Sequence, residues 1–271
     1  MYHRIVSDTT LIVSDWHAIS EIRFRKQLKL LDFLNYTPIT FQDYQLYLDG
    51  RLSLPKKPII ITFDDAHKET FETAIPILNE FGMRAVIYAI GNRNLRYALW
   101  DQRHEVEKCS LMNNEQLIKA HEMGFEIGAH TMTHRTLTHL SNEEIVEEVG
   151  GSKYALEKVL GHRVISFAYP YGSYNSNIRS KVEEAGFAFA CGGNTGPPQF
   201  CDDIYDIRRT VITNRMSLYS FLWRVLIPEK YLSWIPSYSS DKNKCEFGSE
   251  KRTKIPSVDY ESTINNKSEP N

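Results

Sequence analysis

The residues able to do chemistry gather at a few places. Asp64 and Asp65 stand side by side at the end of the apolar run Ile59-Ile-Ile-Thr-Phe. Two adjacent carboxylates at the exit of a buried strand are costly unless a cation or hydrogen-bond donors meet them. A helix cap or a surface turn would explain the pair as readily as a metal would. The second place is His130-Thr-Met-Thr-His134. Two imidazoles four residues apart converge on one cation in a helical turn or in a tight loop, but the spacing is common enough that the pair alone leaves metal binding an even question. With Asp65 added, two imidazoles and one carboxylate leave a coordination position open for water, as catalytic metal sites do. The third place is Phe167-Ala-Tyr-Pro-Tyr-Gly-Ser-Tyr-Asn. It reads either as an aromatic turn closing a strand or as a sugar platform. In the second reading Tyr169, Tyr171 and Tyr174 present flat faces and hydroxyls, and the Pro170-Tyr171-Gly172 geometry offers a backbone N–H to a developing oxyanion.

Such groups need a scaffold that brings distant strand ends together. Short apolar runs recur at Leu11-Ile-Val, Ile59-Ile-Ile-Thr-Phe, Ala85-Val-Ile-Tyr-Ala-Ile, Phe125-Glu-Ile-Gly-Ala, Val164-Ile-Ser-Phe-Ala-Tyr, Phe187-Ala-Phe-Ala and Thr210-Val-Ile-Thr. Between them lie helical signals: Pro76 for a first turn, Asn113 with Gln116, Ser141 with Glu144 as a capping box, and Gly82 and Gly124 as closers. Alternating strand and helix predicts an α/β protein with a parallel sheet, and about seven such units fit a barrel better than a small open sheet. From about residue 235 the composition turns to Ser, Asn, Lys, Glu and Pro. The expected division is therefore a catalytic domain over 1–234 and a polar, disordered tail over 235–271.

The 271 residues are 42% hydrophobic and 24% charged, with 32 Lys plus Arg against 34 Asp plus Glu for a net charge of -2. That balance argues against a nucleic-acid binder, which needs a basic excess. No apolar stretch is long enough for a transmembrane segment, and the N-terminus lacks the apolar core of a secretory signal. Cys109, Cys191, Cys201 and Cys245 are scattered and read as free thiols. The expected setting is cytoplasmic.

Taken in order, Thr62-Phe-Asp-Asp, His130-Thr-Met-Thr-His134 and Phe167-Ala-Tyr-Pro-Tyr-Gly make the chain resemble the polysaccharide deacetylases, the NodB-homology group of carbohydrate esterases, from about Leu11 to Arg215. The resemblance implies a distorted, incomplete (β/α) barrel. It implies Asp64 as general base, and Asp65, His130 and His134 as ligands of one divalent metal ion, zinc in most members and another divalent ion in some. It also implies the backbone N–H of Tyr171 as oxyanion donor.

The chain departs from the family pattern in three places. Ala66 replaces the usual glycine after the Asp pair, which gives up easy access to positive φ. Ala168 stands near where an arginine often orients the base, and Arg209 in Asp206-Ile-Arg-Arg209 is the candidate replacement. No histidine follows His162, so the general acid that most members carry late in the chain must come from elsewhere. A subgroup that includes poly-N-acetylglucosamine deacetylases places it in an N-terminal Tyr-His segment. His17 in Ser14-Asp-Trp-His17 is read as its counterpart, with Trp16 in place of the Tyr and able to stack on a sugar, and with Asp15 able to orient the imidazole.

The resemblance thus implies a metal-dependent hydrolase removing N-acetyl groups from an amino-sugar-containing saccharide or glycoconjugate, with Trp16, Tyr169, Tyr171 and Tyr174 as substrate contacts. The same site could serve an O-acetyl ester, an N-formyl group or another non-peptide C–N bond. A non-catalytic carbohydrate-binding relative is the alternative from a different class.

Overall fold

The computed structural model describes residues 1–7, 15–101, 109–192 and 203–226. The run Leu11-Ile-Val, Cys201, Cys245 and the tail from 235 lie outside the described residues. In chain order, β1 (Arg4–Val6) pairs in parallel with β2 (Ala18–Ser20), and β3 (Thr37–Pro38) pairs in parallel with β4 (Pro58–Ile59). The main sheet is all-parallel, in the order β5 (Thr62–Phe63), β6 (Val86–Ala89), β7 (Glu126–Ala129), β8 (Ser166–Ala168) and β9 (Phe189–Cys191). The helices are α1 (Glu21–Phe33), α2 (Phe41–Leu48), α3 (Ile75–Glu80), α4 (Asn114–Glu122), α5 (Asn142–Leu160), α6 (Ser176–Glu184) and α7 (Leu218–Leu226).

Local chemistry accounts for the boundaries. Asn113 and Gln116 exchange hydrogen bonds at the start of α4, and Ser141 and Glu144 do the same for α5, so backbone N–H groups that a helix start leaves orphaned are satisfied. Helix α5 stops at Gly161, whose φ of 72° is the left-handed cap that an L side chain resists. Helix α1, which the sequence reading did not mark, buries Phe24, Gln27, Leu28 and Leu31 on one stripe.

The sheet curls because its two edges are drawn toward each other. Beside β5, the Tyr2 N–H donates to Thr62 O at 2.8 Å and the Asp64 N–H to Tyr2 O at 3.0 Å. Beside β9, the Ile207 N–H donates to Ala190 O at 2.9 Å, and the chain then crosses to donate from Ile212 N–H to Met1 O, also 2.9 Å. Thr210-Val-Ile-Thr, expected as a strand, is therefore irregular. It makes isolated bonds across the gap, where a strand would need a ladder.

Alternation along β6 divides the core. Ile87 and Ala89 join the large cluster beneath the helices, while Val86 and Tyr88 face the other way toward Phe41, Phe189, Cys191 and Ile207. Phe41, 1% exposed, plugs that inner face against Phe189 at 5.2 Å, a burial that contributes roughly 1.5–3 kcal/mol. Gly128 is required there: a Cβ would sit 2.5 Å from the Tyr88 ring. Among the described residues no helix is long and apolar enough to cross a membrane.

Candidate active site and metal centre

The C-terminal ends of β5, β7 and β8 converge on one cavity of about 580 Å³, whose wall includes His3, His17, Asp64, Asp65, His130 and His134. Parallel α/β sheets build sites at this end, because successive strands deliver their following loops to the same rim.

Asp65, His130 and His134 come together as the spacing suggested. Asp65 Oδ1 lies 3.6 Å from His130 Nε2 and 3.2 Å from His134 Nε2, and all three residues are buried. His130 Nδ1 donates to Ala168 O at 2.7 Å, which fixes the tautomer and leaves the Nε2 lone pair facing Asp65. Burial holds His130 below the usual imidazole pKa, so it is neutral and able to ligate. Asp65 Oδ1 is buried with no hydrogen-bond partner in good geometry. A buried carboxylate oxygen facing two imidazole nitrogens fits a divalent cation by donor type and by charge.

The histidine loop is neither helix nor plain turn. Thr131 (φ 64°) and His134 (φ 62°) adopt left-handed backbone. The His134 N–H donates to Thr131 Oγ1 at 3.0 Å, and Glu148 on α5 accepts from the Thr133 N–H at 2.9 Å and from the Thr133 hydroxyl. Asp65 (φ 70°), Ala66 (φ 52°) and Tyr171 (φ 58°) are left-handed as well. Ala66 thus takes the positive φ that its side chain was expected to forgo. Of the six non-glycine residues with this backbone among those described, only Asn35 lies away from the site, which is where strain tends to be stored.

Asp64 has a different environment. Arg209 clamps it with both terminal nitrogens, Nη1 to Oδ1 at 2.6 Å and Nη2 to Oδ2 at 2.8 Å, and the guanidinium lies 5.3 Å over the Tyr88 ring. Burial alone would raise the Asp64 pKa, but the guanidinium overrides it and holds the group below the usual carboxylate range. For Asp65 burial again pushes upward and the imidazoles of His134 and His67 prevail, leaving the carboxyl well below that range.

The other expected residues divide. His17 lines the cavity, with Trp16 stacked on it at 4.9 Å. Asp15 does not orient the His17 ring: it accepts from the His17 backbone N–H at 3.1 Å and pairs with Arg4 at 2.9 Å. Tyr171 lines the cavity and meets His134 edge-on at 4.8 Å. Tyr169 is on the wall, but it is 1% exposed and its hydroxyl is committed to Tyr205 O at 3.1 Å. Tyr174 is not on the wall. It stacks behind Tyr169 at 4.5 Å, because its ring completes the packing of that loop.

The sequence reading missed His3, His67 and Asp101. His3 stacks on His17 at 4.3 Å with the rings 5° from parallel, and its charge couples to both Asp65 and Asp64. The signal was present, since Tyr2-His3 is itself a Tyr-His dipeptide. His67 is fully buried, with Nε2 3.2 Å from Asp65 Oδ2.

The sequence model of the family described as polysaccharide deacetylase matches residues 51–190. The chain belongs to the polysaccharide deacetylase family. It is 25% identical over 217 residues to the polysaccharide deacetylase-named YxkH of Bacillus subtilis, covering 80% of this chain and 71% of YxkH. It is 24% identical over 183 residues to the poly-beta-1,6-N-acetyl-D-glucosamine N-deacetylase of Staphylococcus aureus strain MRSA252, covering 64% of this chain and 60% of that protein. The structure of the Streptococcus pyogenes deacetylase PplD in complex with acetate superposes with a TM-score of 0.68 at 22% identity, over 83% of this chain and 96% of PplD. The fold is accordingly the family's deformed barrel with a curled parallel sheet.

Proposed function

We propose that this deacetylase-family chain hydrolyses the N-acetyl group of an amino-sugar unit in a saccharide or glycoconjugate. The observation that carries the reading is the pairing of an Arg-clamped carboxylate, Asp64, with the Asp65–His130–His134 set in one cavity. Those three residues would hold a divalent metal ion, zinc by the chemistry of the donors. When bound it would polarise the acetyl carbonyl and acidify the attacking water. Asp64, kept ionised by Arg209, takes the proton from that water. The backbone N–H of Tyr171, on the left-handed turn after Pro170, is assigned to the developing oxyanion. Trp16 and Tyr171 offer ring faces to the sugar.

The departing amine needs a proton, and we assign its delivery to His3 with His17 stacked behind it, a change from His17 alone. Like His130, which belongs to the cation-facing set, His3 is coupled to both carboxylates, and it is in a Tyr-His dipeptide beside the strand that carries Asp64. Burial holds the resting His3 below the usual imidazole pKa, so it is neutral at rest and must take up a proton before it gives one to the amine.

The test is product release from metal-loaded protein incubated with N-acetylglucosamine oligomers, O-acetylated sugars and N-formyl amino sugars. Acetate with a matching yield of free amine is the expected result. Acetate without amine, or formate, would move the assignment to an ester or a formamide. Sugar binding with no product from any substrate would make the chain a non-catalytic relative. Replacing His3 with alanine should lower kcat more than replacing His17.

A further inference from the structure

Asp65 presents two oxygens to two different neighbourhoods. Oδ1 faces His130 and His134. Oδ2 lies 3.2 Å from His67 Nε2, and that nitrogen is also 3.8 Å from Asp101 Oδ2. The three groups Asp65, His67 and Asp101 are close enough to face one cation, although only the Asp65–His67 contact is within hydrogen-bond distance.

The backbone around His67 is pinned independently of its ring. His67 forms an antiparallel bridge with Leu111, the Lys68 N–H donates to Ser110 O at 2.8 Å, and the Met112 N–H donates to Ala66 O at 2.8 Å. The residues just before it, Asp65 and Ala66, are the two left-handed ones that swing the chain away from β5. The ring therefore reaches Asp65 from a fixed base, and it is buried where a mobile side chain would have no room.

Asp101 belongs to the short turn Leu99–Asp101, and its neighbour Trp100 stacks flat on His134 at 4.2 Å with the rings 12° apart. One turn thus supports two of the three cation-facing residues, His134 through an indole and Asp65 through His67.

We propose that His67 is a positioning residue for Asp65: its Nε2–H holds Oδ2, so that Oδ1 alone is presented between His130 and His134, and the Asp101 carboxylate, 3.8 Å from the same nitrogen, adds a weaker electrostatic restraint. This rests on the metal reading of the Asp65–His130–His134 set. A carboxylate with one oxygen anchored cannot rotate to bind through both or turn away, so anchoring raises affinity without supplying a ligand. Partners that orient metal ligands typically contribute 10- to 100-fold in affinity.

The experiment is a titration of metal-free protein with Co²⁺, read by the visible absorption of the bound ion and by the number of ions taken up per chain. Wild-type protein is expected to bind one. His67→Ala should bind about 10- to 100-fold more weakly with an altered spectrum. His67→Gln, whose amide N–H can reach Oδ2, should recover most of the loss, and Asp101→Asn should show a smaller loss. Thermal unfolding of each variant establishes that it is folded, and the Gln and Asn variants keep the question answerable if the Ala variant is not. Unchanged affinity in all three variants overturns the proposal while leaving the metal reading intact. Two ions in wild type falling to one in His67→Ala overturns it in favour of a second cation site. A wild-type protein that binds no divalent ion removes the metal reading and this inference together.

Discussion

Two groups of buried carboxylates lie at opposite ends of the same sheet. At the C-terminal end, Asp64 and Asp65 are ringed by Arg209 and imidazoles, and both are held below the usual carboxylate range although burial pushes the other way. At the N-terminal end, Glu126 on β7 is just as buried but meets only neutral donors. The Ser166 hydroxyl donates to Oε1 at 2.6 Å and the Gln42 N–H to Oε2 at 2.9 Å. There desolvation prevails and the pKa is pushed up to about 7. Burial is common to both places, so the cationic partners decide the charge state. The backbone differs in the same way: left-handed non-glycine residues crowd the Asp64–Asp65 end, while the strands below run regular. One end is a support and the other is built to work as anions.

The largest effect is expected at the base. Asp64→Asn leaves the cation-facing set intact and should lower kcat for product release about 10²- to 10⁴-fold with metal uptake unchanged. Equal losses of metal and turnover would mean the two aspartates do not have separate roles.

Removing the cation that keeps Asp64 charged comes next. Arg209→Met should destabilise the fold by about 3–5 kcal/mol in urea unfolding, because a buried carboxylate is left unpaired. Adding Asp64→Asn should restore much of that loss. If the double variant is no more stable than the single, Arg209 supports the fold by packing and not by pairing.

Glu126 tests the other end. The folded state keeps a proton that the unfolded chain releases above its ordinary pKa of 4.5, so stability should fall as pH rises from about 4.5 to about 7 and level off above. The shift corresponds to a loss on the order of 3 kcal/mol. Glu126→Gln should flatten this segment of the profile relative to wild type, as measured by denaturant midpoints across pH.

The smallest effect compares backbones. Ala66→Gly loses a buried methyl but relieves a left-handed alanine, terms of about 1 kcal/mol each that nearly cancel. Ala89→Gly, in regular β6, has no strain to relieve and should cost roughly 1.5 kcal/mol. Equal costs at the two positions would show that Ala66 carries no strain.

What could be read from the chain follows from how local each signal is. The caps of α4 and α5 are three-residue reciprocities, so Asn113–Gln116 and Ser141–Glu144 are visible in a string of letters. Asp65, His130 and His134 were legible because each follows an apolar run, and a parallel sheet brings such ends together. Arg209 was legible only as a cation looking for an acid. Its two hydrogen bonds to Asp64 depend on a crossing segment whose conformation is irregular, which also explains why Thr210-Val-Ile-Thr reads as a strand and is not one. His3 went unread because it precedes every apolar run, and its meaning comes from Tyr2 pairing beside Phe63, sixty-one positions away. His67 and Asp101 carry no pattern at all, and their relation exists only once the Leu99–Asp101 turn is folded against the Asp pair. Tyr174 fails for the converse reason, since a tyrosine beside a site is as able to pack as to face it.

The central claim is that one cation, held by Asp65, His130 and His134, serves amide hydrolysis. It is tested most directly by adding Zn²⁺ stepwise to metal-free protein and following bound metal and acetate release from an N-acetylglucosamine oligomer in the same samples. The account predicts that release rises with bound metal, saturates at one ion per chain and is absent throughout the same titration of His134→Ala. Full release from the metal-free protein, or saturated binding of zinc with no acetate, would contradict it.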